Sequence, residues 1–317
     1  MKLVAGFHYS RIMRRPFQFG LPVFVSVEPT TSCNLRCPQC PSGLREFTRP
    51  TGMLSSGLFE KIILQLKHEL HSLTFYFQGE PYLHPEFLNM VKFANRHRIY
   101  TSTSTNAHYL SEENAKQTVL SKLDKLIISV DGLTQEVYEQ YRVGGTLAKV
   151  IEGTKEVLKQ RQLLNSRTPH VIWQFVVFKP NQSQIEGIKK LGKELGVDEV
   201  KIKTAQIYDF ETSDELIPDR EEFSRYRKNE AGGYELINKL QNQCWRMWQG
   251  CVITWDGKIV PCCFDKDAHH QLGSLETNPF KEIWFSERYN NFRKSVLTGR
   301  KNIEICKNCS EGTKVWS

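Results

Sequence analysis

The stretch Cys33-Asn34-Leu35-Arg36-Cys37-Pro38-Gln39-Cys40 decides how the fold and chemistry of this chain are interpreted. Its three cysteines have the spacing C-x3-C-x2-C and follow an alternating apolar run at residues 23–27, which predicts a strand. Closed zinc and iron–sulfur sites take four protein ligands. Three thiolates on a four-iron cluster leave one iron without a protein ligand, so that iron can bind a small chelating molecule and transfer an electron to it.

At these residues the chain resembles the radical S-adenosylmethionine (SAM) enzymes, a family defined by this spacing. The resemblance implies that Cys33, Cys37 and Cys40 hold a [4Fe–4S] cluster whose open iron chelates the amino and carboxylate groups of SAM. The alternative is a three-cysteine zinc site that borrows a histidine. The next histidines along the chain, His68 and His71, lie on a helical pattern, so the sequence offers zinc no obvious fourth ligand.

Length and composition bound the class of protein. A chain of 317 residues is long enough for one large α/β domain with a small appendage. No apolar run approaches the roughly 20 residues that span a bilayer, and residues 1–8 do not read as a signal peptide. We therefore expect a cytoplasmic protein without a membrane partner. Nine cysteines at short spacings then favour metal binding over disulfides.

The net charge of +8 is modest and mostly dispersed. Arg11, Arg14 and Arg15 form one small basic group, whereas the other basic residues are scattered as on an ordinary solvated surface. The sequence therefore disfavours a nucleic-acid substrate.

Strand and helix patterns alternate through the first two thirds of the chain. Strands are predicted at residues 23–27, 73–77, 99–103, 125–130, 171–178 and 199–203, with helical patterns between them. Such βα repeats imply a parallel sheet with right-handed crossovers. Six strands are too few for a closed eight-stranded barrel, and the resemblance implies a partial (β/α)6 TIM-like barrel. In such a fold the chemistry lies at the C-terminal ends of the strands.

This interpretation divides the chain into four parts. They are an N-terminal extension (1–21), the partial barrel (22–205), a polar linker (206–243) and a small cysteine-rich domain (244–317).

Polar motifs follow the predicted strands. Gln78-Gly79-Glu80-Pro81 is similar to the Gly-Gly-Glu-Pro loop of radical SAM enzymes, with Gln78 in place of the first glycine. The third and fourth strands end in a run of serines and threonines and in Ser129-Val130-Asp131-Gly132. The resemblance implies SAM contacts from Gln78, Gly79, Glu80, Ser102, Ser104, Asn106, Ser129 and Arg142. The plainer alternatives are an ordinary turn at 78–81, a helix cap at Asp131 and a surface position for Arg142.

A second group of cysteines lies near the C-terminus, around a hairpin signal at Asp256-Gly257. This segment resembles the SPASM and shorter twitch extensions of radical SAM proteins, which hold auxiliary [4Fe–4S] clusters. A full SPASM domain holds two clusters with seven cysteines, and six are available here, so we expect one auxiliary cluster. The ligands chosen are Cys244, Cys262, Cys306 and Cys309, although Cys263 could replace Cys262 and Cys251 could replace Cys244. A four-cysteine zinc ribbon is the alternative.

The resemblance implies that SAM is cleaved reductively to a 5′-deoxyadenosyl radical, which abstracts a hydrogen atom from a peptide or small-molecule substrate. The net result would be oxidation, cross-linking or epimerisation, and the electron would come from a reductant such as flavodoxin or ferredoxin. Epimerisation needs a thiol that returns a hydrogen atom, and Cys251 or Cys263 is a candidate. The non-enzymatic alternative is an iron–sulfur or zinc scaffold with a degenerate barrel, which only the Gln78 replacement favours.

Overall fold

The first two thirds of the chain fold into six parallel strands that alternate with helices. The computed structural model describes residues 1–211 and 215–315. Residues 212–214 of the predicted linker and 316–317 of the predicted C-terminal domain lie outside the described residues. In chain order the elements are α1 (Lys2–Met13), β1 (Phe24–Val27), α2 (Pro41–Leu44), α3 (Ser56–Leu66), β2 (Ser72–Phe75), α4 (Phe87–Arg96), β3 (Tyr100–Thr105), α5 (Glu112–Leu120), β4 (Lys125–Ser129), α6 (Gln135–Tyr141), α7 (Leu147–Leu163), β5 (His170–Val177), α8 (Ile185–Leu195) and β6 (Glu199–Thr204).

All six predicted strands are present, and each pairs in parallel with the next along the chain. The predicted α/β fold with a parallel sheet is therefore confirmed. The two faces of the sheet differ in polarity. Val25, Leu73 and Trp173 belong to the main core, which also holds the apolar faces of the helices. The opposite face carries Ser26 and Thr74, which lie side by side in the strand register and face the interior of the partial barrel.

The C-terminal part extends the same sheet. Its elements are β7 (Tyr226–Lys228), β8 (Tyr234–Leu236), α9 (Arg246–Gln249), β9 (Gly250–Ile253), β10 (Lys258–Val260), β11 (Gly273–Ser274), α10 (Phe280–Phe285), α11 (Glu287–Gly299) and α12 (Glu304–Lys307). Strand β9 pairs in parallel with β1, β10 pairs antiparallel with β9, and β11 pairs antiparallel with β10, so nine strands form one sheet in the order β11-β10-β9-β1-β2-β3-β4-β5-β6. Gly257 has a φ of +79° in the turn between β9 and β10, which is the hairpin that the Asp-Gly pair predicts.

The C-terminal part contacts both the N-terminal extension and the predicted linker. In the N-terminal extension, Phe7 of α1 packs edge-on against Trp245 and Trp248 of the C-terminal part. In the predicted linker, the two-stranded sheet β7–β8 carries Tyr226, whose hydroxyl bonds to Asn308 at 2.8 Å. The domain boundaries themselves stay predictions. None of the described helices has the length and apolar character needed to cross a bilayer.

Candidate functional site

The C-x3-C-x2-C loop follows β1 and is held against the ends of three other strands. Cys37 is buried, whereas Cys33 and Cys40 are half-buried. Each thiol contacts a side chain that the sequence assigned to SAM. The contacts run from Asn106 Nδ2 to Cys33 Sγ (3.9 Å), from Arg142 Nη1 to Cys37 Sγ (3.8 Å) and from Cys40 Sγ to Gln78 Oε1 (3.9 Å). The motifs that the sequence placed after separate strands therefore meet at one edge of the sheet.

Gly79 allows the backbone of residues 78–81 to lie close to the loop that carries the three cysteines. Its φ is +75°, and a Cβ atom there would lie 2.2 Å from the carbonyl oxygen of Thr30 and 2.8 Å from that of Ser32. The Gly79 amide donates to Ser42 Oγ at 2.9 Å, and Ser42 also contacts Gln78. Glycine is thus required by the close approach of the two backbones.

Glu80 is buried and makes its hydrogen bonds within the protein. Its carboxylate accepts from Thr105 Oγ1 at 2.7 Å and from the Asn106 and Tyr82 amides at 2.8 and 3.2 Å. Burial raises the pKa of Glu80 to about 7, although these hydrogen bonds oppose the rise. Glu80 therefore positions Asn106 beside Cys33, and a direct contact from Glu80 to SAM stays a prediction.

Asp131 and Arg142 form the charged part of the site. Arg142 Nε donates to Asp131 Oδ2 at 2.6 Å, and Asp131, fully buried, also accepts from the Val176 amide at 2.7 Å. Thr134, not Asp131, caps the next helix. Arg142 is therefore neither a surface residue nor a free cation. Its guanidinium group connects Asp131, at the end of β4, to the thiol of Cys37.

The three predicted serines share the interior face of the sheet at different depths. Ser104 is half-buried near the end of β3, and Ser129 is the last residue of β4. Ser102 lies one pleat below Ser104 and bonds to Thr74 Oγ1 at 2.8 Å. The structure thus brings Ser104 and Ser129 toward the strand ends, whereas Ser102 is engaged within the sheet.

The second cysteine group surrounds a small enclosed cavity of about 20 Å³. Four cysteines line it, and they are the four ligands chosen from the sequence: Cys244, Cys262, Cys306 and Cys309. Cys263 and Cys251 do not line it. Gly312, with a φ of +75°, lets the C-terminal segment pass so close that a Cβ there would lie 2.5 Å from Cys244 Sγ.

The surroundings of Arg300 indicate that this cavity suits an anionic group. The residue is only 1% exposed, and its Nη2 donates to Cys309 Sγ at 3.2 Å and to the Glu311 carbonyl at 2.8 Å. Within residues 1–211 and 215–315 it makes no ion pair with a carboxylate. A buried cation requires a nearby anion. Thiolates that hold an iron–sulfur cluster would supply this charge, so the donor set fits such a cluster.

A single metal ion and a four-iron cluster require different spacings of their cysteine ligands. Among the described histidine, cysteine, aspartate and glutamate side chains, no three converge closely enough to hold one metal ion. Tetrahedral zinc needs its sulfurs at about 2.3 Å from one centre, whereas a four-iron cluster is larger and keeps its cysteines farther apart.

Cys251 and Cys263, the two proposed hydrogen-atom donors, lie in different surroundings. Cys251 is 3% exposed on β9 and packs in the main core, in register with Val25. Cys263 is half-buried, and Arg246 Nη1 lies 3.9 Å from its sulfur. The structure therefore does not bring Cys251 to either cysteine site, whereas it leaves Cys263 at the edge of the second one.

Three side chains that the motifs did not single out as ligands occupy the space between the two cysteine groups. Tyr76 and Tyr208 are 46% and 41% exposed, and the pKa of each is raised by burial and by the nearby thiols of Cys40 and Cys263. Lys266 lies with its Nζ 4.6 Å from the centre of the Tyr208 ring. We call this region the mouth space. The alternation of the second strand could have indicated Tyr76, but no local pattern marks Lys266.

Comparison with known families identifies the class of protein. The radical SAM superfamily matches residues 27–166, and the SPASM iron–sulfur cluster-binding domain matches residues 244–310. The chain belongs to the radical SAM enzymes and carries a C-terminal SPASM domain. Its cofactors are SAM, the [4Fe–4S] cluster that binds it, and auxiliary iron–sulfur.

Individual relatives cover nearly the whole chain. The tungsten-containing aldehyde ferredoxin oxidoreductase cofactor-modifying protein of Pyrococcus furiosus is 26% identical over 316 residues, covering 90% of this chain and 87% of its own. SuiB of Streptococcus suis bound to the precursor peptide SuiA has a TM-score of 0.67 at 15% identity, covering 97% of this chain and 72% of SuiB. The enzyme anSMEcpe with bound AdoMet (SAM) and the Kp18Cys peptide has a TM-score of 0.63 at 20% identity, covering 92% of this chain and 87% of that chain. The structural likenesses confirm the fold.

Proposed function

We propose that this protein uses SAM to abstract a hydrogen atom from a peptide or small-molecule substrate held in the mouth space. The observation that carries the proposal is that Tyr76 and Tyr208 each lie near both Cys40 of the first cysteine group and Cys263 of the second. When bound, the first cluster and SAM supply a 5′-deoxyadenosyl radical. The chain's own residues hold these cofactors, position the substrate and limit the access of water.

Cys33, Cys37 and Cys40 are proposed as the ligands of the first cluster. Burial, together with the smaller effects of Glu80 and the neighbouring thiols, raises the pKa of the Cys33 thiol to about 11. Metal binding would deprotonate the thiols, and the Arg142 guanidinium beside Cys37 offsets part of the resulting charge. Gln78, Gly79, Glu80, Ser102, Ser104, Asn106, Ser129 and Arg142 remain the proposed SAM-side residues, and Ser102 acts through Thr74 and the sheet.

Cys244, Cys262, Cys306 and Cys309 are proposed to hold one auxiliary [4Fe–4S] cluster. They line one cavity, and Arg300 donates into it. Because four cysteines would complete the coordination of a cluster, this site suits electron transfer better than substrate binding. An electron accepted there would give net oxidation or cross-linking of the substrate.

Epimerisation would instead need a hydrogen atom from a thiol, and Cys263 is the candidate that the mouth space favours. In that step the Cys263 S–H bond breaks and a substrate C–H bond forms. The sulfur radical left behind regains a proton and one electron from a low-potential reductant of the flavodoxin or ferredoxin class. With a substrate in D2O, the wild-type protein would place one deuterium on the product carbon, whereas Cys263→Ala would not.

The substrate and the cellular setting belong to the same proposal. SuiB and anSMEcpe are described with peptides, which supports a peptide here, and the Pyrococcus relative is described as a cofactor-modifying protein, which supports a small molecule. All nine cysteines are free, which fits a reducing cytoplasm.

The proposal is tested by 5′-deoxyadenosine formation after anaerobic cluster reconstitution, with SAM and a strong reductant. We expect product from the wild-type protein and none after Cys33, Cys37 and Cys40 are replaced by alanine. Cys251→Ala is the matched control, because it removes a cysteine that lies away from both groups. Product that survives the triple replacement would refute the proposal. So would a protein that carries both clusters but neither binds nor cleaves SAM.

A further inference from the structure

Lys266 is a cation in the mouth space that pairs with no carboxylate of residues 1–211 and 215–315. Among the described residues its ammonium makes no hydrogen bond and no ion pair, and it lies 4.6 Å from the centre of the Tyr208 ring. Its backbone is fixed, because Arg49 Nε donates to the Lys266 carbonyl at 3.1 Å. Burial lowers the pKa of Lys266, while the thiols of Cys40 and Cys263 oppose the change. The ammonium is thus held between the two cysteine groups.

Arg225 adds a second cation beside Lys266. Its side chain is 15% exposed, and its Nε donates to Thr204 Oγ1 at 3.1 Å. Its Nη1 is buried and has no hydrogen-bond partner among the residues that the structure describes. Arg225 and Arg246 share one carboxylate, that of Glu311, at 3.8 and 3.1 Å. Three cations therefore surround this side of the mouth space, and the Glu311 carboxylate pairs with two of them, Arg225 and Arg246.

We propose that Lys266, with Arg225, binds a carboxylate or phosphate group of the substrate. This inference rests on the proposed function and names the substrate class: a molecule with an oxyanion beside the carbon that reacts. A lysine ammonium is a compact point charge that either anion can bind, and the buried Nη1 of Arg225 offers a second donor. The phenol rings of Tyr76 and Tyr208 would pack against the uncharged remainder of the molecule.

These cations could instead serve to offset the negative charge of the auxiliary cluster. Arg300 and Arg246 contact cysteine sulfurs directly, at 3.2 and 3.9 Å. In the described part of the chain Lys266 makes no such contact, and its ammonium lies over the Tyr208 ring instead. Binding of a substrate oxyanion therefore fits Lys266 better than Arg246. Oxyanion binding and charge compensation of the cluster predict different results in the experiment below.

The test is anaerobic calorimetric titration of the cluster-loaded, full-length protein with tripolyphosphate and, separately, with propane-1,2,3-tricarboxylate. SAM is kept saturating so that its own carboxylate does not compete. We expect the wild type to bind at least one probe, and the stronger probe identifies phosphate or carboxylate as the group recognised. Lys266→Met should weaken binding by at least about tenfold, because it removes a charged donor, whereas Lys266→Arg should keep it within about threefold. Lys190→Met, at an 80% exposed helix lysine, is the matched control and should not change it.

Two results would overturn the oxyanion site. One is a wild type that binds neither probe. The other is a Lys266→Met protein that is folded, as shown by circular dichroism, and binds the probe as tightly as the wild type. A shift in the reduction potential of the auxiliary cluster without a change in probe binding would count as this second result. SAM cleavage separates the two proposals. A wild type that forms 5′-deoxyadenosine but binds no probe refutes the oxyanion site alone, whereas probe binding without SAM binding or cleavage refutes the proposed function.

Discussion

At the scale of single residues, the adjacent cysteines 262 and 263 have different surroundings. Cys262 lines the enclosed cavity with Cys244, Cys306 and Cys309. Cys263 lies instead beside Arg246, with Tyr76, Tyr208 and Lys266 nearby. The sequence left open which of the two is a ligand, because the distances along the chain from Cys262 and from Cys263 to any other cysteine differ by only one residue. Only the direction of each side chain separates them.

Single replacements of this pair should therefore differ in iron content. Cys262→Ala should lose about four of about eight irons per chain, one [4Fe–4S] cluster of two, whereas Cys263→Ala should keep them all. Iron and sulfide analysis after anaerobic reconstitution measures this, with paramagnetic resonance of the reduced protein to show which cluster remains. Loss of iron in Cys263→Ala alone would reverse the ligand assignment.

Gly79 gives a second prediction at this scale. Gly79→Ala must accept both a φ of +75° and a Cβ at 2.2 Å from the Thr30 carbonyl oxygen. Gly196→Ala is the matched control, since Gly196 has a φ of +79° with no atom within 4 Å of the added Cβ. We expect the control to lower the free energy of unfolding by about 1 kcal/mol and Gly79→Ala to lower it by more than about 3 kcal/mol, because the backbone must also move.

Urea unfolding of the cluster-loaded proteins, followed by circular dichroism, compares the two variants. Gly79→Ala should also weaken SAM binding, because Gly79 sets the distance between its loop and the cysteine loop. Equal effects of the two replacements would show that the loop can relax, and the close approach would then not explain the glycine.

At the scale of elements, a buried ion pair ties the cysteine loop to β1 and to the C-terminal hairpin. Arg49 donates to both oxygens of Glu28, at 2.8 and 2.5 Å, and Glu28 is fully buried. Glu28 also accepts from the Trp255 amide at 3.3 Å. The pair thus connects three segments that are distant in the sequence.

Removing one partner of this pair should be costly. Arg49→Met leaves a buried carboxylate unpaired and should lower the free energy of unfolding by about 3–5 kcal/mol, whereas adding Glu28→Gln should recover part of it. Burial already raises the pKa of Glu28, and loss of Arg49 removes the main opposing effect. A raised pKa in the folded state means that stability falls as the pH rises. The loss in Arg49→Met should therefore be smaller at pH 5 than at pH 8, and a loss independent of pH would contradict this account.

Elements whose signals are local could be predicted, and those that depend on distant partners could not. The alternation at 23–27 and the apolar face of Phe59, Ile62, Ile63 and Leu66 are determined by burial of one side of an element, so both are found where expected. Strand β9 is buried throughout, but nothing in its four residues indicates that it pairs with β1, more than 200 residues earlier. Likewise, Lys266 reaches Tyr208 through a contact that sequence spacing does not encode.

The cysteine-rich part also showed which site features a sequence can supply. The sequence could supply four thiols for the proposed auxiliary cluster, with Cys263 and Cys251 left as alternatives to Cys262 and Cys244, because cluster chemistry requires thiols and few are available. The sequence could not supply Arg300, since an arginine 6 residues before Cys306 is ordinary until its burial and its bond to Cys309 are seen.

At the scale of the whole molecule, the continuous sheet means that the barrel and the SPASM domain are not independent. Pairing of β9 covers the edge of β1, and Cys251 and Ile253 belong to the same core as Val25. On the outside, Phe7 of α1 is buried against Trp245 and Trp248. Cutting the chain at residue 243 would therefore expose an unpaired strand edge and apolar side chains of both the core and α1, a combination that promotes aggregation.

We accordingly expect residues 1–243 alone to be insoluble or aggregated, even though they contain all three cysteines of the first cluster. The matched control is the full-length chain with Cys306→Ala and Cys309→Ala, which lacks the proposed auxiliary ligands but keeps β9. That variant should remain monodisperse in size-exclusion chromatography and should retain about four irons, because the strand pairing and not the second cluster completes the barrel. A soluble 1–243 fragment that still loads the first cluster would show that β9 is dispensable. The SPASM domain would then contribute to chemistry at the mouth space but not to the stability of the barrel beneath it.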